Sequence, residues 1–493
     1  MTETAAPNLT IDQVVTRVAA ASVVWAATAY AERSRVMRAI ADALDAAGPD
    51  LIAIAQDETS LPQPRLQGEL KRTTFQLRIF ADEAERGAFV DARIDRPDAT
   101  WPMGAPRPDL RRMLIPIGPV LNFAASNFPF AFSVPGGDTA AALAAGNAVL
   151  VKAHSGHPRL SDTMAAVIEE AVVQAGAPAD LLRVIHGTQN GVEALEHPAI
   201  KAASFTGSIS GGRALFDIAN ARPEPIPFYG ELGSVNPAFV APAAAANRAT
   251  EIAEGYLASI TGSQGQLCTK PGVLFVPAES GVMNALRSAA APGPAPLLND
   301  RISQGFVASL DALAGNNAVS VLREGKASRS VEPEATLLLT TVDDVLAEPE
   351  SLIAEVFGPV GLIVTYTDTA DLELVARALD GQLTATIVAD EVDTDLELAR
   401  TLVPALADRA GRVLWNQWPT GVSVTYAQQH GGPYPATTAS TMTAVGTASI
   451  ARFLRPVAFQ NFPAALLPEA LRDDNPLVLP QSIDGQPVSN AGS

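Results

Sequence analysis

From Ile115 onward, short β-rich runs alternate with helix-patterned stretches, and this most limits what the chain can become. Val120–Phe123, Ala148–Lys152, Arg183–His186 and Ala202–Thr206 read as strands. Between and after them, 138–145, 160–175 and 211–219 carry helical spacing. Repeated β-α-β units with short links require a parallel sheet covered by helices on both faces. Ligands of such sheets bind beyond the carboxyl ends of the strands. The alternation resumes after Leu232, with strands at 237–240, 273–276, 362–366, 384–388 and 413–416 and helices at 246–260 and 372–379, which points to a second α/β unit.

The flanks read differently. Apolar residues recur at helical spacing from Ile11 to Leu61, with a break at Gly48-Pro49, and predict an N-terminal helical hairpin. The stretch Arg93–Arg112 is rich in Arg, Pro and Asp and predicts an excursion from the body, in the form of a protruding hairpin. From Ala444 the chain is Pro-rich and reads as an arm or packing strap.

A chain of 493 residues with 47% apolar and 18% charged residues has ample material for a core. Lys and Arg number 34 against 53 Asp and Glu, a net charge of −19 that disfavours nucleic acid and anionic membranes as partners. Met1-Thr2-Glu3-Thr4 lacks a basic start, and the alanine-rich 19–31 is too short to span a bilayer, so a cytoplasmic location is expected. One cysteine, Cys268, excludes an internal disulfide or a multi-thiolate zinc site, and no metal motif is present.

Five segments could carry chemistry. Cys268 lies in Gly262-Ser263-Gln264-Gly265-Gln266-Leu267-Cys268-Thr269, between a helical run and a strand. A lone cysteine suits a buried hydrophobe as well as a nucleophile, but such a turn can present a thiol. Glu231, in Tyr229-Gly230-Glu231-Leu232-Gly233, is a solvated carboxylate or a base at the cleft between the units. Asn127 follows the strand Val120–Phe123 as a turn former or as an amide donor to an oxyanion. Phe205-Thr206-Gly207-Ser208 reads as strand, turn and helix N-terminus, a shape that suits a phosphate. Lys152 closes its strand at the crevice edge, where it would snorkel or pair with ribose or phosphate oxygens.

Taken together and in order, these segments resemble the aldehyde dehydrogenase superfamily. Asn127-Phe128-Pro129, Lys152, Phe205-Thr206-Gly207-Ser208, Glu231-Leu232-Gly233, Gly265-Gln266-Leu267-Cys268 and Glu355-Val356-Phe357-Gly358-Pro359 match its motifs. His430-Gly431-Gly432-Pro433-Tyr434-Pro435 and Arg455-Pro456-Val457-Ala458-Phe459-Gln460 are similar to the NADP-preferring branch that includes 2,5-dioxovalerate (α-ketoglutaric semialdehyde) dehydrogenases.

The resemblance implies an α/β fold with a variant Rossmann cofactor domain (1–92 and 113–231), a second α/β catalytic domain (232–443), and a small β oligomerisation element with its arm (93–112 and 444–493). It implies oxidation of an aldehyde, such as a semialdehyde, to the acid with NAD(P)+. Cys268 would attack, Asn127 and the Cys268 N–H would hold the oxyanion, and Glu231 would activate water on the thioester. Lys152, Ser155, Gly207, Ser208, Glu355 and Phe357 would hold the cofactor. Ser155 stands where NAD-preferring relatives carry a glutamate, which favours NADP. The arginine that grips the 2′-phosphate in some relatives is missing from Thr188-Gln189-Asn190-Gly191. Phe128, Phe132, Leu267, Val422, Val424 and Tyr426 would line a substrate tunnel or else pack as core. A homodimer or homotetramer is expected. The rival readings are a coenzyme A-acylating dehydrogenase and a nonredox ligand-binding protein.

Overall fold

The computed structural model describes residues 9–488. Met1–Thr4, on which the leader reading rests, lies outside them, as do the last five residues of the arm.

The first sheet is wholly parallel, in the order Leu182–Ile185, Val149–Lys152, Val120–Phe123, Ala202–Thr206, Phe228–Glu231. Its central strands are near-continuously apolar because helices cover both faces: all four residues of Val120–Phe123 and the first three of Val149–Lys152 are buried. The helix Gly137–Ala145 is buried throughout, and its run of alanines lets neighbouring backbones close on it. The chain starts in mid-sheet, builds outward to one side, then jumps across to Ala202–Thr206. The switch point therefore lies between Val120–Phe123 and Ala202–Thr206, where a crevice opens at the strand ends.

The second sheet has the order Ser320–Arg323, Thr336–Thr341, Val360–Tyr366, Val273–Pro277, Ala238–Val240, Gln382–Val388, Ala410–Trp415. Only the outermost pair, Ser320–Arg323 with Thr336–Thr341, is antiparallel. All seven residues of Gln382–Val388 are buried. Phe239 and Phe275, on paired strands, stack at 4.6 Å in the core.

A third sheet joins the two flanks. Ala92–Asp95 and Leu110–Pro116 form the expected hairpin, and Leu454–Gln460 adds to it antiparallel. Gln481–Ile483 then pairs parallel with Ala92–Asp95.

The N-terminal region departs from the hairpin reading. It is four helices, Ile11–Ala26, Tyr30–Ala46, Gly48–Thr59 and Gln63–Arg86. Gly48-Pro49 opens a helix instead of ending one, since proline at the first turn lacks only an N–H that has no partner there. The fourth helix escapes a periodicity reading because Glu69, Thr73, Thr74 and Gln76 are buried on its inner face beside Leu66, Leu70 and Leu77.

Candidate active site

The thiol is placed by an unusual turn. Ser263, Gln264 and Gly265 all take left-handed backbone angles, with φ of 48°, 55° and 66°. A side chain on Gly265 would strike the Gly358 carbonyl, so glycine is obligatory there. The turn ends at Gln266, whose Oε1 accepts the Leu298 N–H at 2.9 Å, and the next residues bring up Cys268. Its carbonyl accepts Asn236 Nδ2 at 2.8 Å, and the same amide serves the Lys270 carbonyl at 2.9 Å. Asn236 is fully buried with a left-handed φ of 50°. Gln382 Oε1 in turn accepts the Val235 and Asn236 N–H groups.

Asn127 reaches this turn from the other lobe. Its Nδ2 donates to the Gln266 carbonyl at 3.0 Å, two residues before the thiol. An amide nitrogen carries two hydrogens, so one N–H anchors the side chain and the second is free for an oxyanion. The loop is held from behind by the helix Gln63–Arg86. Arg65 donates to the Asn127 carbonyl at 2.7 Å, and buried Glu69 accepts the N–H groups of Phe130 and Ala131 at 2.8 and 3.0 Å.

Glu231 is the last residue of the first sheet's edge strand, a strand that the sequence reading did not include. Its backbone is pinned by Gly207 N–H to its carbonyl at 3.0 Å and by a bridge to Thr437. Its Oε2 is buried without a hydrogen-bond partner. Burial pushes this carboxyl well above its usual range; Arg452 opposes the rise and Asp138 adds to it. Arg452 and Asp138 form a buried ion pair at 2.5 Å.

The Cys268 thiol is pushed up to about 12, by burial first and then by Glu231 and Glu355, with Arg72 opposing. His430 Nε2 lies 3.7 Å from Sγ. Burial and three arginines hold that imidazole down to about 3, so it is neutral and supplies no cation to a thiolate.

Glu355 sits with Oε2 against Gly233, where a Cβ would collide with it. Burial raises the Glu355 carboxyl and lowers the Lys270 ammonium, and each charge opposes the shift of the other. Lys270 Nζ donates to the carbonyls of Val356, Gly358 and Val360, so it fixes the loop that carries Glu355 and half-buried Phe357. A cavity of about 420 Å³ opens between Ile209, Gly233, Leu346, Glu355, Gln382 and Pro435, beside the thiol turn and not reaching it.

On the other side of the crevice, Ser208 caps the helix Ile209–Ala221 by accepting the Gly211 N–H at 3.2 Å. Gly207 and Ser208 are exposed at the crevice, with the first N–H groups of that helix behind them. The Lys152 stem lies over Gly191, and Ser155 stands exposed three residues on.

Of the expected tunnel residues, Phe128 and Phe132 pair edge to face at 5.4 Å, and half-buried Leu267 adjoins the thiol. Val422 and Val424 instead pack into the core around the first sheet. Tyr426 is 56% exposed and stacks under Arg86. Arg86 is 14 residues along the helix from Arg72, roughly 21 Å at 1.5 Å per residue, which puts Tyr426 far from the thiol. Arg65, Glu69, Arg72, Asn236, Arg412 and Arg452 are site residues that motif reading missed. His430 lay in a motif that the sequence displays, but only the fold shows it beside the thiol.

The aldehyde dehydrogenase family pattern matches residues 2–434. The chain belongs to the aldehyde dehydrogenase family. It is 42% identical over 470 residues to the alpha-ketoglutaric semialdehyde dehydrogenase of Acinetobacter baylyi, a match that covers 94% of this chain and 88% of that one. Identity is 44% to alpha-ketoglutaric semialdehyde dehydrogenase 2 of Azospirillum brasilense, covering 94% and 89%. The crystal structure of a methylmalonate-semialdehyde dehydrogenase from Oceanimonas doudoroffii superposes with a TM-score of 0.76 at 20% identity, over 92% of this chain and 90% of that one. Like its family, this aldehyde dehydrogenase is an NAD(P)-dependent oxidoreductase that takes an aldehyde to the acid. Among the described residues, no helix is long and apolar enough to cross a membrane.

Proposed function

We propose that this enzyme oxidises a semialdehyde that also bears a carboxylate, of the kind named for its relatives, through a thioester on Cys268 that water then hydrolyses. The observation that carries this is the convergence of three groups from two lobes: the Asn127 amide on the Gln266 carbonyl, the free thiol of Cys268 two residues later, and the unpartnered carboxylate of Glu231. The Cys268 thiolate, its proton released to water, attacks the aldehyde carbon, and the oxyanion is held by the free Asn127 N–H and the Cys268 backbone N–H. When bound, NAD(P)+ accepts the hydride that this adduct releases. Glu231 then takes a proton from water as it attacks the thioester. A coenzyme A-acylating enzyme would have no use for that base, and the hydrolytic reading is preferred for this reason.

The first lobe (1–92 and 113–231) is assigned to the cofactor and the second (232–443) to catalysis. Segments 93–112 and 444–493 are assigned to a homodimer or homotetramer contact, for which exposed Phe462 and Leu466 are suited. Lys152 and Ser155 would hold the adenosine ribose, Gly207 and Ser208 the pyrophosphate, and Glu355 and Phe357 the nicotinamide side. NADP is the favoured form. Ser155 puts no carboxylate at the 2′ position, and a second cation, Arg301, faces Lys152 and His154 from the other lobe. The expected location is cytoplasmic.

The test is a stopped-flow experiment on Glu231→Gln. Reduced cofactor should appear as a burst of up to one equivalent per active site, followed by a much slower steady rate and an acyl adduct visible on Cys268 by intact mass. Loss of the burst would reassign Glu231 to an earlier step, and unchanged kinetics would remove it from the chemistry.

A further inference from the structure

Arg72 is a half-buried cation that makes no hydrogen bond among the described residues. It lies one turn beyond Glu69 on the inner face of the helix Gln63–Arg86. Among the described residues it makes no hydrogen bond or ion pair, and its Nη1 is buried without a partner. Its neighbour Arg65 is committed by contrast, to the Asn127 carbonyl and to Glu69 at 3.4 Å. Glu69 Oε1 takes two backbone N–H groups, and its Oε2, which makes no hydrogen bond, lies 3.4 Å from Arg65 Nη1 and not on Arg72.

The Arg72 guanidinium stands 5.4 Å over the Phe132 ring, Phe132 lies 6.5 Å from the His430 ring, and His430 Nε2 lies 3.7 Å from the thiol. A continuous wall thus leads from guanidinium to nucleophile. Arg412 approaches the same place from the second sheet. Its Nη1 and Nη2 donate to the carbonyls of Gly421 and Pro419, which leaves a buried Nε without a partner. Gly411, beside it, packs on the backbone of Gly431, next to His430. Both arginines feel the charge of Cys268.

The charge of Glu69 reaches Arg72 but makes no hydrogen bond or ion pair with it, and buried guanidinium N–H groups without a partner are costly, so they call for an anion that arrives with the ligand. On a chain of net charge −19 they are also a local reversal of sign. The planar donor edge of a guanidinium suits a carboxylate. We propose that Arg72 receives the distal carboxylate of the aldehyde substrate, with the Arg412 Nε–H as second donor and Phe132 as the wall along which the carbon chain lies. This rests on the semialdehyde reading above and names the residues that would enforce it.

The test compares kcat/KM for 5-oxopentanoate with kcat/KM for pentanal in the wild type, Arg72→Met, Arg72→Lys and Arg412→Met. A lost charge-assisted contact is worth about 10-fold to 100-fold. The acid-to-neutral ratio should fall by roughly that factor in Arg72→Met, mainly through KM, recover in part in Arg72→Lys, and fall less in Arg412→Met. Glutarate should protect Cys268 from iodoacetamide in the wild type and not in Arg72→Met, a readout independent of turnover. If the wild type favours 5-oxopentanoate but a folded Arg72→Met keeps the ratio and the protection, the Arg72 assignment is wrong and the semialdehyde reading stands. If the wild type favours pentanal, or a phosphorylated aldehyde such as glyceraldehyde 3-phosphate, both fall.

Discussion

The reactivity of the resting thiol follows directly from its surroundings and can be measured without substrate or cofactor. A thiol at about 12 instead of its ordinary 9.0 carries about a thousandth of the thiolate at any pH well below both values. Alkylation proceeds through the thiolate, so the iodoacetamide rate at Cys268 should climb about tenfold per pH unit from 7 to 10 without levelling off. An ordinary thiol would bend over near 9. With one cysteine in the chain, the label reports on this site alone.

Glu231→Gln separates the causes. Burial is the largest contribution and remains in the variant, whereas the charge of Glu231 is removed. The variant should therefore label faster than the wild type at every pH above the raised Glu231 value, where that carboxylate is charged, by less than the full thousandfold, and its log-linear rise should persist. A wild-type plateau below pH 9 would refute the buried, anion-flanked thiol. Slower labelling in the variant would refute the ordering of causes, because Glu231 would then be withdrawing the thiol proton instead of opposing its loss.

Ser155→Glu should raise KM for NADP far more than KM for NAD, since it sets a carboxylate against the 2′-phosphate, and an unchanged ratio of the two would displace Ser155 from the ribose. A carboxyl raised on folding binds its proton more tightly in the native state, so its contribution is present at low pH and is lost as pH rises through the raised value. Glu231→Gln should accordingly melt higher than the wild type at pH 8, with the gap closing toward pH 5; a gap that widens toward pH 5 would reverse the assigned shift. Asn236→Ala leaves the carbonyls of Cys268 and Lys270 without their donor in a sealed site, so a loss of about 2–4 kcal/mol in urea unfolding is expected, and a loss below ~1 would mean that water fills the gap.

Where a strand is buried on both sides, its identity is legible from its own residues: 149–151 and 383–388 announce themselves by runs of apolar or β-branched residues. Phe228–Glu231 does not, because Gly230 interrupts a strand that is only four residues long. The helix Gln63–Arg86 hides for the opposite reason, since the face turned inward holds a carboxylate, two threonines and a glutamine. Chemistry followed the same division. Asn127, Glu231 and Cys268 each sit in a short motif, so local sequence exposes them. Arg65, Arg72 and Arg412 come to the site from segments far from it in the chain, and Arg65 reaches the Asn127 loop across a separation of 62. No spacing rule links such residues until the lobes close. Tyr426 erred the other way, as an aromatic in a plausible loop whose ring is claimed by Arg86 on the surface.

The charges around the thiol are of both signs. Two carboxylates, Glu231 and Glu355, raise the thiol, Glu355 from the wall of the cavity; Arg72, over the Phe132 ring, opposes them, and Arg412 also responds to the charge of the sulfur. The carboxylates are in part matched, Glu231 by Arg452 and Glu355 by Lys270, whereas Arg72 and Arg412 keep unpartnered N–H groups. Negative charge arriving with a substrate is therefore disfavoured beside Glu231 and Glu355 and favoured beside Arg72 and Arg412. An acidic aldehyde can then enter in only one sense, with its carboxylate toward Arg72 and its carbonyl at Sγ. The oxyanion formed by attack must be turned away from Glu231 and Glu355. Asn127 meets that need because its carbonyl is tied to Arg65 and its amide to Gln266, so the remaining N–H is fixed before the substrate arrives.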